Sequence, residues 1–90
     1  MFPEELDGAK VLFYSQRDEY GATKYPNGEI ADCYRYLAIC QYANDTQYYL
    51  FCCNEEYEVV SDSVWNDVET CMKVAAASYE CDAIWHKVLS

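Results

Sequence analysis

Residues 64 to 79 carry the one long stretch of this 90-residue chain in which apolar side chains recur at helical spacing. Val64, Trp65, Val68, Cys71, Met72, Ala75 and Tyr79 fall three and four apart and build one face over about four turns. Ser61, Asp62 and Ser63 offer capping oxygens ahead of it. Asp67 and Glu69 lie in or near the first two turns, where the helix dipole favours carboxylates. A single amphipathic helix has one apolar stripe to bury, and it needs a sheet to bury it against.

The rest of the chain supplies that sheet. Lys10 to Ser15 is β-branched and aromatic and reads as a first strand. Pro26-Asn27-Gly28 predicts a turn, with a short strand before it within Ala22 to Tyr25. Residues 31 to 42, ADCYRYLAICQY, fit periods of both 2 and 3.6, but the flanking turns favour one strand. Tyr34, Tyr36, Ala38, Cys40 and Tyr42 would then line one side, with Cys33, Arg35, Leu37 and Ile39 on the other. Ala43-Asn44-Asp45 has turn chemistry, so Thr46 to Cys53 is expected to return as the partner of a long hairpin. Asn54-Glu55-Glu56 breaks or bulges that strand, and Tyr57 to Val60 continues it or pairs again. Pro3 to Asp7 reads as a short helical turn before Gly8. The tail from Asp82 to Val88 fits a last strand or the end of a second helix. The expected architecture is α+β: an antiparallel sheet of three to five strands with one principal amphipathic helix on one face, in a single domain over residues 1 to 90.

Six cysteines invite a disulfide reading, but Cys33, Cys40, Cys52, Cys53, Cys71 and Cys81 include no CxxC pair. Cys52 and Cys53 would point to opposite faces of a strand, which suits neither a chelate nor a bridge between them. The set reads mostly as free, buried thiols, with a disulfide or a metal site as the alternatives. The N-terminal segment has no basic stretch followed by an apolar one, and no window reaches the length of a membrane span. The expectation is a cytoplasmic protein without membrane contact.

Charge narrows the function classes. Sixteen acidic against six basic side chains give a formal charge of -10, and residues 36 to 72 hold seven carboxylates without one Lys or Arg. Such a field repels nucleic acid and steers a basic protein toward the chain. Arg17, Lys24 and Arg35 are the only basic residues between Val11 and Met72, too few to neutralise a phosphate backbone. Ten tyrosines add contact area with a polar end.

The sequence carries no nucleophile elbow, phosphate-binding loop, dinucleotide turn or HExxH motif. His86 with Ser78 or a thiol, or a pocket between sheet and helix near Cys71 and His86, is the remaining enzyme or ligand-carrier reading. The reading adopted is a binding protein, not an enzyme, with no cofactor and no metal. Edge strands and surface tyrosines permit self-association, which the charge opposes.

"YYLFCCNEEYEVVSD" followed by "SVWNDVETCMKVAAASY" resembles the central and C-terminal part of small acidic bacterial proteins of the immunity type. There an aromatic strand leads through a turn and a short strand to an amphipathic helix. The resemblance implies a neutralising partner for a basic toxic enzyme, often a nuclease, held in a charge-steered complex. Glu55, Glu56, Glu58, Asp62, Asp67 and Glu69 would then meet basic groups of the partner. Tyr48, Tyr49 and Tyr57 would anchor the contact wherever they face outward. Another acidic interaction module, including a nucleic-acid mimic or a regulatory subunit, fits the same charge.

Overall fold

The apolar run at 31 to 42 divides at Arg35. In the computed structural model, which describes residues 1 to 89, Ile30–Tyr34 forms β4 and Tyr36–Gln41 forms β5, and the two belong to different sheets. Arg35 sits between them, its N–H donating to Cys53 O at 2.8 Å and its carbonyl accepting from Asp18 N at 3.0 Å. The single expected strand is therefore two, because these bonds to neighbouring segments hold the backbone where it changes sheet. Tyr36, Ala38, Cys40 and Tyr42 do share a face, as alternation requires, while Tyr34 packs against the other cluster.

The remaining strands are β1 (Glu5–Leu6), β2 (Ala9–Tyr14), β3 (Gly21–Lys24), β6 (Tyr48–Cys53), β7 (Val59–Trp65) and β8 (His86–Lys87). The main sheet is antiparallel and curled in the order β1-β2-β5-β6-β7, and β8 joins β2 beyond β1. β3 and β4 form a separate hairpin whose turn falls at Pro26-Asn27-Gly28 as expected. Register shifts between Val11 and Phe13 and between Cys52 and Cys53 bend the main sheet. The fold is α+β, with helix α1 (Val68–Ser78) packed against β6 and β7.

Three local expectations are corrected. Pro3 to Asp7 is no helical turn, because Asp7-Gly8, with φ of 48° and 83°, makes a two-residue hairpin turn joining β1 to β2. Ser61, Asp62 and Ser63 do not cap the helix, since they pair with Cys52, Phe51 and Leu50 inside β7. Val64 and Trp65 likewise belong to that strand. The cap is Asp67, whose φ of -154° lies outside the helical region and whose Oδ1 accepts from Thr70 N at 2.7 Å. The tail resolves as a two-residue strand.

Both faces of the sheet are packed, by different means. On one, Leu37, Ile39, Leu50 and Cys52 are buried beneath Cys71 and Ala75 of α1, with Tyr20 and the chain from Tyr79 to Trp85 completing the cover. The small residues one turn apart on α1 let the helix lie close to the strands. On the other, Ala9, Val11, Ala38, Cys40, Phe51 and Cys53 form the floor, and rings rather than a helix pack over it. Cys52 and Cys53 occupy opposite faces, and all six cysteines are free thiols. Ser15, the one buried polar side chain among the described residues, accepts from Leu37 N at 2.8 Å and donates to Gln16 O at 3.0 Å. No helix among the described residues is long and apolar enough to cross a membrane.

Candidate interaction face

Tyr14, Tyr36, Tyr42, Tyr49 and Tyr57 are all half-buried on the face that the helix leaves uncovered. Register arranges that face in rows. Val11, Cys40, Tyr49 and Val64 make one, and Tyr14, Ala38, Phe51 and Asp62 make the next. Ala38 and Cys40 stand beside larger neighbours in these rows, Ala38 between Tyr14 and Phe51 and Cys40 between Val11 and Tyr49. Phe2 stacks on Tyr14 at 4.7 Å between centroids and meets Tyr36 and Tyr57 edge-on at 5.7 and 5.3 Å. Tyr42 meets Tyr49 edge-on at 5.1 Å, toward the Asp7-Gly8 turn.

Tyr57 reaches this face through a specific turn. Asn54 Oδ1 accepts from the N–H groups of Glu56 and Glu58 at 3.0 and 2.9 Å, and Asn54 Nδ2 donates to Glu58 Oε1 at 2.9 Å. With the turn fixed, Tyr57 adopts a left-handed φ of 62° and its ring comes back over the sheet. Arg17 meets the same turn from outside, donating from Nε to both carboxylate oxygens of Glu55.

Charge sits at the margins of the rings. Asp62 is exposed at the β7 edge, in the row of Phe51. Burial and then the nearby Asp7 carboxylate push the Tyr42 hydroxyl above its ordinary pKa, with Tyr49 and Asp62 adding to the effect. The hydrogen bond with Tyr57, followed by burial, pushes Tyr36 upward in the same way.

The residues singled out from sequence separate into groups. Glu55, Glu56 and Glu58 lie together in the β6–β7 turn, and Glu55 is already answered by Arg17. Asp67 and Glu69 lie beyond the other end of β7, roughly 20 Å away along a seven-residue strand. Asp67 is engaged as the helix cap, and Glu69 Oε1 lies 3.1 Å from Lys73 Nζ. Asp62 stands between the two groups. Tyr49 and Tyr57 share the helix-free face, whereas Tyr48 lies on the opposite one, paired with Trp65 and packed in the helix-side cluster. Sequence reasoning passed over Asp7, Tyr14, Tyr36 and Tyr42 as contact residues. The signal for Tyr36 and Tyr42 was their alternation with Ala38 and Cys40.

The pocket envisaged near Cys71 and His86 does not form, because the two residues lie on different faces. His86 stacks on Tyr14 at 5.3 Å, while Cys71 is buried on the inner side of α1 against the opposite face of the sheet. Among the described residues, no three His, Cys, Asp or Glu side chains converge as a metal ion would require. The surface carries open grooves, among them one of about 310 Å³ between β1, β2 and the C-terminal segment. No protein family, curated protein or solved structure matches the chain.

Proposed function

We propose that this chain is an acidic protein-binding module that neutralises or inhibits a basic protein partner, in its most specific form an immunity protein against a toxic nuclease. One observation carries the reading: five half-buried tyrosines share a helix-free face with Asp7 and Asp62 at its margins, on a chain of formal charge -10. Tyrosines so placed offer large contact area and little freedom to lose on binding. Carboxylates around them favour a lysine- or arginine-rich partner, and cationic side chains also stack on tyrosine rings. Two of the six basic side chains, Arg17 and Lys73, are already paired within the chain.

Co-purification from the source cells at low salt, with the partner's enzymatic activity assayed with and without the chain, tests the proposal. The expected result is one basic protein held in stoichiometric ratio and losing activity in the complex. Recovery of no such protein, or of many basic proteins that all leave at the first salt step, would overturn it.

A further inference from the structure

β7 ends the order of the main sheet, so one of its two edges has no strand beside it. The sheet's other margin is divided between β1 and β8, each two residues long and so too short to template a partner. β7 spans seven residues, VVSDSVW, with neither proline nor lysine, and its one bulge, at Val60, leaves Ser61 to Trp65 in regular register. On an antiparallel strand of this kind, alternate residues turn both N–H and C=O toward the open side. We infer that this edge receives an extended, basic segment of the partner as an added β-strand, with a Lys or Arg side chain set opposite Asp62. The inference rests on the basic-partner reading and specifies its docking mode.

Charge decides which strand fits. Asp62 is the midpoint of Val59–Trp65. A second copy pairing antiparallel over the full strand would therefore set Asp62 directly against its own counterpart, a destabilising like-charge pair between molecules of charge -10 each. A foreign strand running in either direction meets the same central carboxylate, and a cationic side chain there converts repulsion into attraction. Val64 is 44 % exposed on the same face as Asp62, and Val59 lies on that face at the far end of the strand. The fitting segment thus alternates apolar, basic and apolar residues on this face. Its side chains would prolong the row of Val11, Cys40, Tyr49 and Val64 and carry the tyrosine face onto the partner. On the other face it would run beside Ser61, Ser63 and Trp65, whose Nε1 donates to Ser63 Oγ at 2.7 Å.

The test uses the intact protein and the capped peptide Lys-Val-Thr-Lys-Thr-Val-Lys, read by residue-resolved amide hydrogen exchange. At saturating peptide, alternate β7 amides should exchange at least about tenfold more slowly. The same peptide N-methylated at the alternate backbone nitrogens that would face β7 keeps its charge but loses its ladder donors, and should not protect them. Asp62→Lys should abolish the effect, and the milder Asp62→Asn should weaken it while leaving the fold intact. Unchanged β7 exchange on binding, or equal binding of the N-methylated peptide, overturns strand addition. Perturbation confined to Tyr42, Tyr49 and Tyr57 does so too while leaving the basic-partner reading standing. If no lysine peptide binds and no basic protein is retained from the source cells, that reading fails together with its docking mode.

Discussion

Arg17 Nε lies 2.9 and 2.7 Å from the two carboxylate oxygens of Glu55, joining the segment after β2 to the turn between β6 and β7 across 38 positions of sequence. Both side chains are about half exposed, at 52 % and 49 %, so water and salt screen the pair strongly. Its consequence is therefore larger for surface charge than for stability. Arg17→Ala should leave the thermal midpoint unchanged to within a degree or two, while taking the formal charge from -10 to -11. Binding of a basic partner should become tighter and more salt-sensitive, as titration at two ionic strengths would report. A clear loss of thermal stability would mean that the pair holds the turn.

Asp67 governs the response to acid at the start of the helix. Its hydrogen bonds to Thr70 hold the carboxyl below its ordinary pKa. A carboxyl whose folded pKa is depressed adds stability that is present above the unfolded value and disappears as pH falls through the folded one. Asp67→Ala should lower the thermal midpoint by a few degrees near neutral pH, and the gap to the parent should close as the pH drops below the ordinary aspartate range. A gap that stays constant with pH would remove the charge from the explanation.

The thiols should divide into two reactivity classes. Burial pushes Cys53 up to about 12 and both Cys52 and Cys71 up to about 11, and it raises Cys40 further still. These four are buried, whereas Cys33 and Cys81 are half-buried. Alkylation under native conditions followed by peptide mass mapping should label Cys33 and Cys81 first. The other four should react only on unfolding, and early labelling of Cys40 would contradict the packing of the helix-free face.

Turn chemistry gives two further substitutions. Asn54→Ala removes the side chain that accepts from Glu56 N and Glu58 N, and it should cost about 1–2 kcal/mol in a urea melt. It should also weaken partner binding, because the left-handed Tyr57 loses its support. Gly8→Ala should cost a similar ~1–2 kcal/mol. There the penalty is backbone strain at a φ of 83°, since an added Cβ would lie 3.8 Å from Tyr42 Cε1, an ordinary contact. A stability change near zero at Gly8 would show that this turn tolerates a side chain.

The legible parts of this fold were those set by short-range periodicity. Alternation placed Leu37 and Ile39 on one face and Ala38 and Cys40 on the other, and it placed Cys52 opposite Cys53. Val68, Cys71, Met72 and Ala75 announced the helix. Its start was misread because Val64 and Trp65 continue the helical stripe by coincidence of spacing, while pairing with Tyr49 and Tyr48 holds them in β7. The division at Arg35 depends on bonds to Asp18 and Cys53, distant in sequence, which no local pattern encodes. The candidate site was legible in its chemistry and not in its grouping. Glu55, Glu56 and Glu58 are neighbours in sequence and in space, but Asp67 and Glu69 lie a strand's length away. Only the register of β2 against β5 brings Tyr14 and Tyr36 under the same Phe2 ring.

The most direct measurement of the central claim, that the β7 margin of the tyrosine face binds a basic protein, is affinity capture with three forms of the chain under a stepwise salt wash. They are the parent, Asp62→Lys, and Glu29→Lys at the exposed tip of the β3–β4 hairpin. Both variants change the net charge equally. The account predicts that the parent and Glu29→Lys retain the same basic protein through moderate salt, while Asp62→Lys releases it at the first step. Equal retention by all three forms, or equal loss from both variants, would contradict it, because binding would then follow net charge and not the place of Asp62 in the fold.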